Sequence, residues 1–414
     1  MNIHVDRGGL NIGTLRAETL VARVGSPIVI YDVDTMVERF YAFAEAFSEL
    51  RAMVSFDVDA IPNTHVLHHL AKRGAGLSIR SGTDLERAWL SGVPMTRVVY
   101  AGLGRSDDDV RAALDGLYSP MFQSGRLVEG RPPYYRGPIG WFSVETGTEL
   151  RQISRIANGV RIACNAICAV DVGGTGHGSW GISAEHALEL FDEFGNESRL
   201  RLRGLHMHAG EQARTVDSFV ACVERFVRLA DQLMKRNHPI TLLNLGGGFA
   251  SNEVDQDAPT PAEYAGAVAA LLLPLVEAGA KVVIEPGWSL CAGSCAAISR
   301  VLGVRQGVAA RRVVCDGVPC VAIARSSAVR PIVAPSDPDA TPRDAGQIDG
   351  ALEHSVRANP GDLIAWPAGG YRARHSGHSA CEILLSAGKS RIILPRRGVS
   401  DALVPELESQ EVIL

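Results

Sequence analysis

Apolar residues along this 414-residue chain recur with two different periods, which alternate between about residue 29 and residue 289. Eight short runs, apolar at consecutive or alternate positions, predict β-strands. They are residues 54–58, 76–81, 97–102, 140–146, 160–167, 202–208, 241–248 and 281–287. The segments between them, such as 63–73 and 216–236, place apolar residues at the helical spacing i, i+3, i+4 and i+7. Strands that alternate with helices predict a parallel sheet, and eight such units predict an α/β fold of the (β/α)8 TIM-barrel type.

A different pattern flanks the predicted barrel. After residue 289, short strand-like runs separated by turn residues predict a mostly antiparallel C-terminal β-domain. Residues 1–28 have no helical period, and we expect them to add strands to that domain. The predicted domains are therefore 29–289 for the barrel and 1–28 with 290–414 for the β-domain. Residues 118–140 are rich in glycine and proline and predict an irregular insertion into the barrel.

Composition narrows the class of partner. The net charge is -5 with both signs mixed along the chain, so no nucleic-acid surface is indicated. No apolar run reaches about 18 residues, and the first residues lack a basic stretch followed by an apolar one. We therefore expect no membrane span and no signal peptide, and a cytoplasmic protein that binds a small molecule. The eight cysteines contain no CxxC pair, which favours buried free thiols over a zinc site.

Polar residues stand at the carboxyl ends of the predicted strands, which is where active sites of such barrels lie. Residues two apart on a strand face the same side, so we expect Asp57 and Asp59 on one face, and His206 and His208 likewise. Two adjacent carboxylates repel each other unless a cation lies between them. The other strand-terminal candidates are Arg80, Ser81, Glu145, Glu211, Gly246, Gly247, Gly248 and Glu285.

Three of these candidates have competing interpretations. The glycine triplet 246–248 follows an apolar strand and either exposes backbone N–H groups to a phosphate or makes a tight turn. His206 is expected to be a hydrogen-bonded core residue. Glu285 interrupts an apolar strand before Pro-Gly, which favours a site residue because a carboxylate is rarely buried there without a partner.

Several stretches together resemble the fold-type III pyridoxal-phosphate (PLP) decarboxylases. The similarity is carried by GAGLSIRSGTDLERAWLSG, GLHMHAGEQ, LLNLGGGF, VVIEPGW and GDLIAWPAGGY. This family includes the diaminopimelate, ornithine and arginine decarboxylases and shares its barrel with alanine racemase. The resemblance implies a barrel with a C-terminal β-domain, a lyase acting on an amino-acid or amine-like small molecule, and a head-to-tail homodimer with active sites built from both subunits.

The resemblance also implies roles for individual residues. His208 matches the histidine that stacks on the cofactor ring, and Glu285 matches the acid that pairs with the pyridine nitrogen. Gly246, Gly247 and Gly248 match the phosphate-binding loop. Tyr371 matches a phosphate-contacting tyrosine, and Arg330 resembles an arginine that meets substrate in the diaminopimelate branch.

Other positions depart from the family pattern. The family's first strand ends in a motif like Tyr-Ala-Val-Lys-Ala-Asn, whose lysine forms the Schiff base with PLP. The distance to Val66-Leu67 places that lysine at Asp59 and the preceding alanine at Asp57. Glu211 stands where the family has a phosphate-binding serine, and Trp288 stands where it has an arginine. The four lysines of the chain are Lys72, Lys235, Lys281 and Lys389. None of them is predicted to lie near this position, so we do not expect covalently bound PLP.

Three hypotheses follow from these departures. The first is a divergent enzyme without covalently bound PLP, with Asp57, Asp59, His208 and Glu211 as catalytic residues and Trp288 and Arg330 meeting substrate. The same four residues suit a divalent metal, and together with Glu285 they also suit a cationic amine or guanidine. The second is a non-catalytic pseudoenzyme or regulatory subunit that binds an active decarboxylase. The third is a decarboxylase or racemase with non-covalently bound PLP, held by Gly246, Gly247, Gly248, Glu285 and Tyr371.

Overall fold

The structure is a computed structural model and divides the chain into two compact units. One unit is Val37–Leu290, and the other combines Met1–Met36 with Cys291–Leu414. The described residues are 3–6, 9–118, 137–173, 180–210, 215–251, 257–306, 311–316, 332–334, 343–344, 358–368 and 380–396. None of the helices in these ranges combines the length and the apolar character that crossing a bilayer requires.

The N-terminal residues differ from the sequence expectation in two ways. Strands β1 (Ile3–Asp6), β2 (Gly9–Ile12) and β3 (Leu15–Arg16) form a three-stranded antiparallel sheet of their own. They are followed by a helix, α1 (Ala17–Val24), where we expected only strands. That expectation was wrong, because the apolar residues Ala17, Leu20, Val21 and Val24 have the helical spacing i, i+3, i+4 and i+7 and pack on one side of α1.

Eight parallel strands close into a barrel in the unit Val37–Leu290, which confirms the predicted TIM-barrel fold. The next elements of the chain are β4 (Ile28–Asp32), α2 (Val33–Ala46), β5 (Met53–Asp57), α3 (Thr64–Ala71), β6 (Gly76–Ile79), α4 (Gly82–Ser91), β7 (Val98–Tyr100), α5 (Asp107–Leu114), β8 (Trp141–Val144), α6 (Gly147–Val160), β9 (Cys164–Val170), α7 (Ala184–Phe194), β10 (Leu200–Met207), α8 (Val216–Lys235), β11 (Leu242–Asn244), α9 (Pro261–Glu277) and β12 (Lys281–Ile284). Strands β5 to β12 pair in chain order, and β12 pairs with β5 to close the barrel.

Side-chain caps fix where the barrel helices begin. In each of α4 to α9, a Ser or Thr side chain accepts a hydrogen bond from a backbone N–H of the first turn. These residues are Ser81, Ser106, Thr146, Ser183, Thr215 and Thr260. The caps therefore fix the residue at which each loop after a strand ends and the next helix begins.

Inward-facing side chains fill the barrel in layers of different polarity. One layer is an apolar cluster of Val99, Ile167, Leu242 and Val283, against which Met53 and Trp141 pack. Because residues two apart on a strand face the same side, the next inward positions towards the carboxyl ends are polar. They include Ser55, Ser143, Asn244 and Glu285, with Asp57 one step further along β5. The polar layer places these residues at the end of the barrel where sites form.

The other unit contains a mostly antiparallel eight-stranded sheet, as predicted. A short helix, α10 (Gly287–Cys291), follows β12. The sheet is built from β4 together with β13 (Cys295–Gln306), β14 (Arg311–Cys315), β15 (Ile332–Ala334), β16 (Arg343–Asp344), β17 (Leu363–Ala368), β18 (Cys381–Ser386) and β19 (Lys389–Leu394). The strand order is β16-β15-β17-β13-β4-β18-β19, with β14 paired to β13. Strand β4 pairs with β13 and β18. It therefore belongs to this sheet, although the sequence places residue 29 at the start of the barrel.

Candidate active site

Asp57 and Arg80 form an ion pair across neighbouring barrel strands. In the parallel register of β5 and β6, Asp57 lies beside Ser78, and Arg80 follows two residues later on the same inward face. Arg80 Nη2 lies 2.8 Å from Asp57 Oδ2, with 50% of the Arg80 side chain and 22% of the Asp57 side chain exposed. Burial raises the pKa of Asp57, the positive charge of Arg80 opposes that rise, and the negative charge of Glu285 adds to it. The chain itself thus supplies a cation for Asp57.

Asp59 lies in a turn beyond the end of β5. Its backbone N–H donates a hydrogen bond to Asp57 Oδ1 at 3.1 Å, and the residue is exposed. The strand alternation that was expected to bring both aspartates to one face therefore ends at Asp57. Both carboxylates still act on Arg80, because Asp57 and, more weakly, Asp59 raise the pKa of its guanidinium.

Glu285 follows β12 and is held by two partners inside the barrel. Asn244 Nδ2 donates to Glu285 Oε1 at 2.8 Å, while Asn244 Oδ1 accepts from the Gly246 N–H at 2.9 Å. The second oxygen, Oε2, lies 3.6 Å from His206 Nε2. Burial raises the pKa of Glu285, but His206, Asn244 and Arg80 together outweigh burial and lower it. Glu285 is therefore held as a carboxylate.

His206 connects Glu285 to the neighbouring side of the barrel. Its Nδ1 lies 2.9 Å from Ser143 Oγ, and its ring packs edge-on to Trp180 with centroids 4.9 Å apart. Its buried Nε2 has no hydrogen-bond partner within the described ranges, since 3.6 Å to Glu285 is too long for a hydrogen bond. His206 is thus a hydrogen-bonded interior residue, as expected, with one ring nitrogen directed at the carboxylate.

His208 lies half-buried, two residues along the chain from His206. Its Nδ1 accepts a hydrogen bond from the Gly210 N–H at 3.0 Å, and its ring centroid is 5.7 Å from that of Trp180. A Cβ added at Gly247 would lie 3.5 Å from His208 Nε2, so this ring borders the glycine turn. Its stacking on a cofactor stays a prediction.

The glycine triplet has a physical reason within the barrel itself. Gly246 and Gly248 have φ values of +62° and +101°, in the region that favours glycine. A Cβ at Gly246 would lie 2.0 Å from the carbonyl oxygen of Met207, and a Cβ at Gly248 would lie 2.3 Å from that of Gly210. Close backbone packing between β10 and the segment after β11 therefore requires glycine here, whatever the triplet binds. A phosphate role for it stays a prediction.

A buried arginine links the carboxyl ends of β7 and β8. Arg105 Nη1 donates to the carbonyl oxygens of Tyr100 at 2.9 Å and Ser143 at 3.1 Å, and its Nη2 forms an ion pair with Glu149. Only 1% of the Arg105 side chain is exposed. Burial lowers the pKa of Arg105, and Glu149 opposes that effect. Since the Ser143 side chain also contacts His206, Arg105 fixes a strand segment that positions a site residue. An arginine in the loop GLGRS gives no sequence signal for this role.

The lysines lie away from the polar end of the barrel. Lys72 caps the C-terminus of α3, Lys235 is the last residue of α8, and Lys281 is the exposed first residue of β12. Helices of a βα barrel run back from the carboxyl ends of the strands, so these three positions are at the opposite end of the barrel. Lys389 begins β19 in the other unit. The barrel unit therefore has no lysine at the carboxyl ends of its strands.

The structure describes only one of the four remaining predicted site residues. Trp288 is half-buried in α10, three residues after Glu285. Glu211, Arg330 and Tyr371 lie outside the described residues. Where the structure describes the chain, no group of three or more His, Cys, Asp or Glu side chains is arranged to hold a metal ion. The proposed metal ligands Asp57, Asp59, His208 and Glu211 stay a prediction, because Glu211 is not among the described residues.

Comparison with known proteins identifies a family and its fold. Residues 33–292 match the family model described as pyridoxal-dependent decarboxylase, pyridoxal binding domain. The diaminopimelate decarboxylase of Zymomonas mobilis is 26% identical over 440 residues, covering 96% of this chain and 97% of that protein. The structure of diaminopimelate decarboxylase from Helicobacter pylori complexed with L-lysine superposes with a TM-score of 0.75 at 22% identity, covering 95% of this chain and 100% of that one. A lysine/ornithine decarboxylase from Vibrio vulnificus complexed with putrescine gives 0.65 at 18% identity, covering 90% and 99%.

Proposed function

The chain belongs to the pyridoxal-dependent decarboxylase family, and on that premise we propose that it acts on an amino-acid or amine-like small molecule at the carboxyl end of its barrel, without covalently bound PLP. One observation carries the proposal. The inward-facing charged side chains Asp57, Arg80 and Glu285 converge at this end of the barrel, and Glu285 is held as a carboxylate. Carboxylates bind ammonium groups through charge-assisted hydrogen bonds. L-lysine and putrescine, the ligands of two related structures, both carry such groups.

The positions of the lysines support the absence of a covalent link. A Schiff base with PLP requires a primary amine, and the carboxylate of Asp59, which we place at the family's lysine position, cannot supply one. The barrel lysines lie at the other end of the strands. The residues therefore do not fit a covalently attached cofactor.

Non-covalent binding of PLP is a second candidate, favoured by the charge of Glu285. A carboxylate with a lowered pKa suits a protonated pyridine nitrogen, the role that the resemblance gives to this residue. Gly246, Gly247 and Gly248 with His208 would hold the rest of the group. When bound, PLP supplies an electron sink for a carbanion.

Individual roles follow from the contacts. Asp57 and Glu285 bind the positive charge of the ligand, and Asn244 fixes the orientation of Glu285 by its 2.8 Å hydrogen bond. His206 Nε2, which has no hydrogen-bond partner within the described ranges, can donate a hydrogen bond to a ligand atom that lies beside it and Glu285 Oε2. We keep Asp59, His208 and Glu211 as further catalytic candidates, with Trp288, Arg330 and Tyr371 as ligand contacts.

Calorimetric titration of the purified protein with L-lysine and with putrescine tests the proposal. We expect binding to the wild type and a weakening of about tenfold or more in Glu285→Gln, since the variant loses a charge-assisted contact. The control is Glu193→Gln, which changes an exposed carboxylate paired with Arg151 on the outer helices. Absence of binding to the wild type, with or without added PLP, would contradict the proposal.

A separate experiment tests whether PLP forms a covalent link with a lysine of the chain. The protein is incubated with PLP, reduced with borohydride and mapped by peptide mass spectrometry. We expect no lysine to be modified stoichiometrically. A single stoichiometric adduct on one lysine would refute the absence of a covalent link.

A further inference from the structure

Only one nitrogen of the Arg80 guanidinium makes a hydrogen bond within the described ranges. Its Nη2 binds Asp57 Oδ2, but its Nη1 and Nε make no hydrogen bond to any residue in the described ranges. Half of its side chain is exposed. A guanidinium presents five N–H donors in a planar fork that matches a carboxylate, so most of this binding capacity is directed at a ligand or at solvent.

The ion pair is not needed to hold its two strands together. Strands β5 and β6 already pair over Ser55, Phe56 and Asp57 through a parallel ladder. An ion pair with one half-exposed partner adds little stability, typically about 0–1 kcal/mol. A charged pair facing the interior of a barrel therefore points to a ligand more than to stability.

We infer that Arg80 is a specificity-determining residue that binds the carboxylate of a zwitterionic ligand whose ammonium group is taken by Asp57 and Glu285. This inference rests on the proposed function and adds the carboxylate anchor. On binding, the ligand ammonium takes the place of Arg80 beside Asp57, and the ligand carboxylate takes the place of Asp57 beside Arg80. One ion pair becomes two, and the ligand carboxylate and the ammonium group that takes the place of Arg80 add no net charge between them.

An amine without a carboxylate cannot exchange partners with the ion pair of Asp57 and Arg80 in this way. It has to approach Asp57 against the positive charge of Arg80, and nothing then replaces Asp57 as the partner of the guanidinium. The site therefore prefers an amino acid to the diamine with the same carbon chain. The preference is a property of Arg80 and disappears with it.

Paired titrations test the inference. L-lysine is compared with 1,5-diaminopentane, and L-ornithine with putrescine, because each pair differs only by the carboxylate. In the wild type we expect each amino acid to bind about tenfold or more tightly than its diamine. In Arg80→Met the ratio falls to about 1, as the amino acid loses its anchor and the diamine loses a repelling charge. Arg80→Lys keeps the charge without the planar fork and gives an intermediate ratio.

Arg151→Met is the matched control. Arg151 forms an ion pair of the same length, 2.8 Å, with Glu193 on the outer helices, so its loss should leave the wild-type ratio unchanged. Circular dichroism checks that each variant is folded, and Arg80→Lys carries the test if the methionine variant is not. A wild type that binds the diamine as tightly as the amino acid, or a ratio unaltered in both Arg80 variants, overturns the inference and leaves the proposed function standing. Failure of all four ligands to bind the wild type overturns both.

Discussion

Replacing Arg105 with methionine should destabilise the barrel strongly. The substitution leaves Glu149, with 11% of its side chain exposed, as a buried charge without its cation, and it releases the carbonyl oxygens of Tyr100 and Ser143. Removing one partner of a buried ion pair costs about 3–5 kcal/mol of the free energy of unfolding. The exposed pair of Arg151 offers a reference, because its loss in Arg151→Met should cost less than about 1 kcal/mol.

Urea unfolding followed by circular dichroism measures the difference. The double variant Arg105→Met/Glu149→Leu removes both charges, so it should recover part of the loss seen in Arg105→Met alone. A loss in Arg105→Met no larger than that in Arg151→Met would refute the reasoning. So would a double variant whose loss of unfolding free energy equals the sum of the losses in Arg105→Met and Glu149→Leu, since additivity means that the pair is not coupled.

Glu285, Gly246 and Ser106 give further predictions. The pKa of Glu285 falls from its ordinary 4.5 to about 2 on folding, so its charge stabilises the folded chain above pH 4.5 and this contribution is lost as the pH falls towards 2. Urea unfolding at several pH values should therefore show the wild type losing free energy of unfolding relative to Glu285→Gln between pH 4.5 and 2. A difference between the two proteins that does not change with pH would contradict the lowered pKa. Gly246→Ala should cost about 1–3 kcal/mol because its φ of +62° and the Met207 carbonyl oxygen leave no room for a Cβ, whereas Gly266→Ala, in open space within α9, should stabilise by about 1 kcal/mol in the same urea assay. Ser106→Ala removes the capping box of α5 and should lower the free energy of unfolding by about 1 kcal/mol, and an unchanged melting curve would argue against that cap.

Strand periodicity predicted the barrel because each of its strands is followed by its own helix. It could not place β4, whose partners β13 and β18 lie more than two hundred residues further along the chain. An apolar run such as IVIYD reads the same in a barrel as in any other buried sheet. The three strands of residues 3–16 were expected in the larger sheet for the same reason, since pairing partners are not encoded in periodicity.

The sequence predicted where in the barrel the candidate site residues lie, but it did not predict which of them contact each other. Alternation correctly directed Asp57 inward, but it could not show that Arg80 of the next strand would reach it, because that depends on the register of β5 against β6. Alternation could not predict the direction of Asp59, because β5 ends at Asp57 and Asp59 lies in the turn that follows. Asn244 and Ser143 gave no signal, since a single amide or hydroxyl in an apolar strand is ordinary until its partner is known.

The apolar layer of Val99, Ile167, Leu242 and Val283 fills the interior of the barrel below its polar residues. With this layer beneath Asn244 and Glu285, a molecule held among the charged side chains cannot pass through the centre of the barrel. A ligand therefore enters and leaves at the carboxyl ends of the strands, and an excess of ligand cannot drive a flow through the barrel.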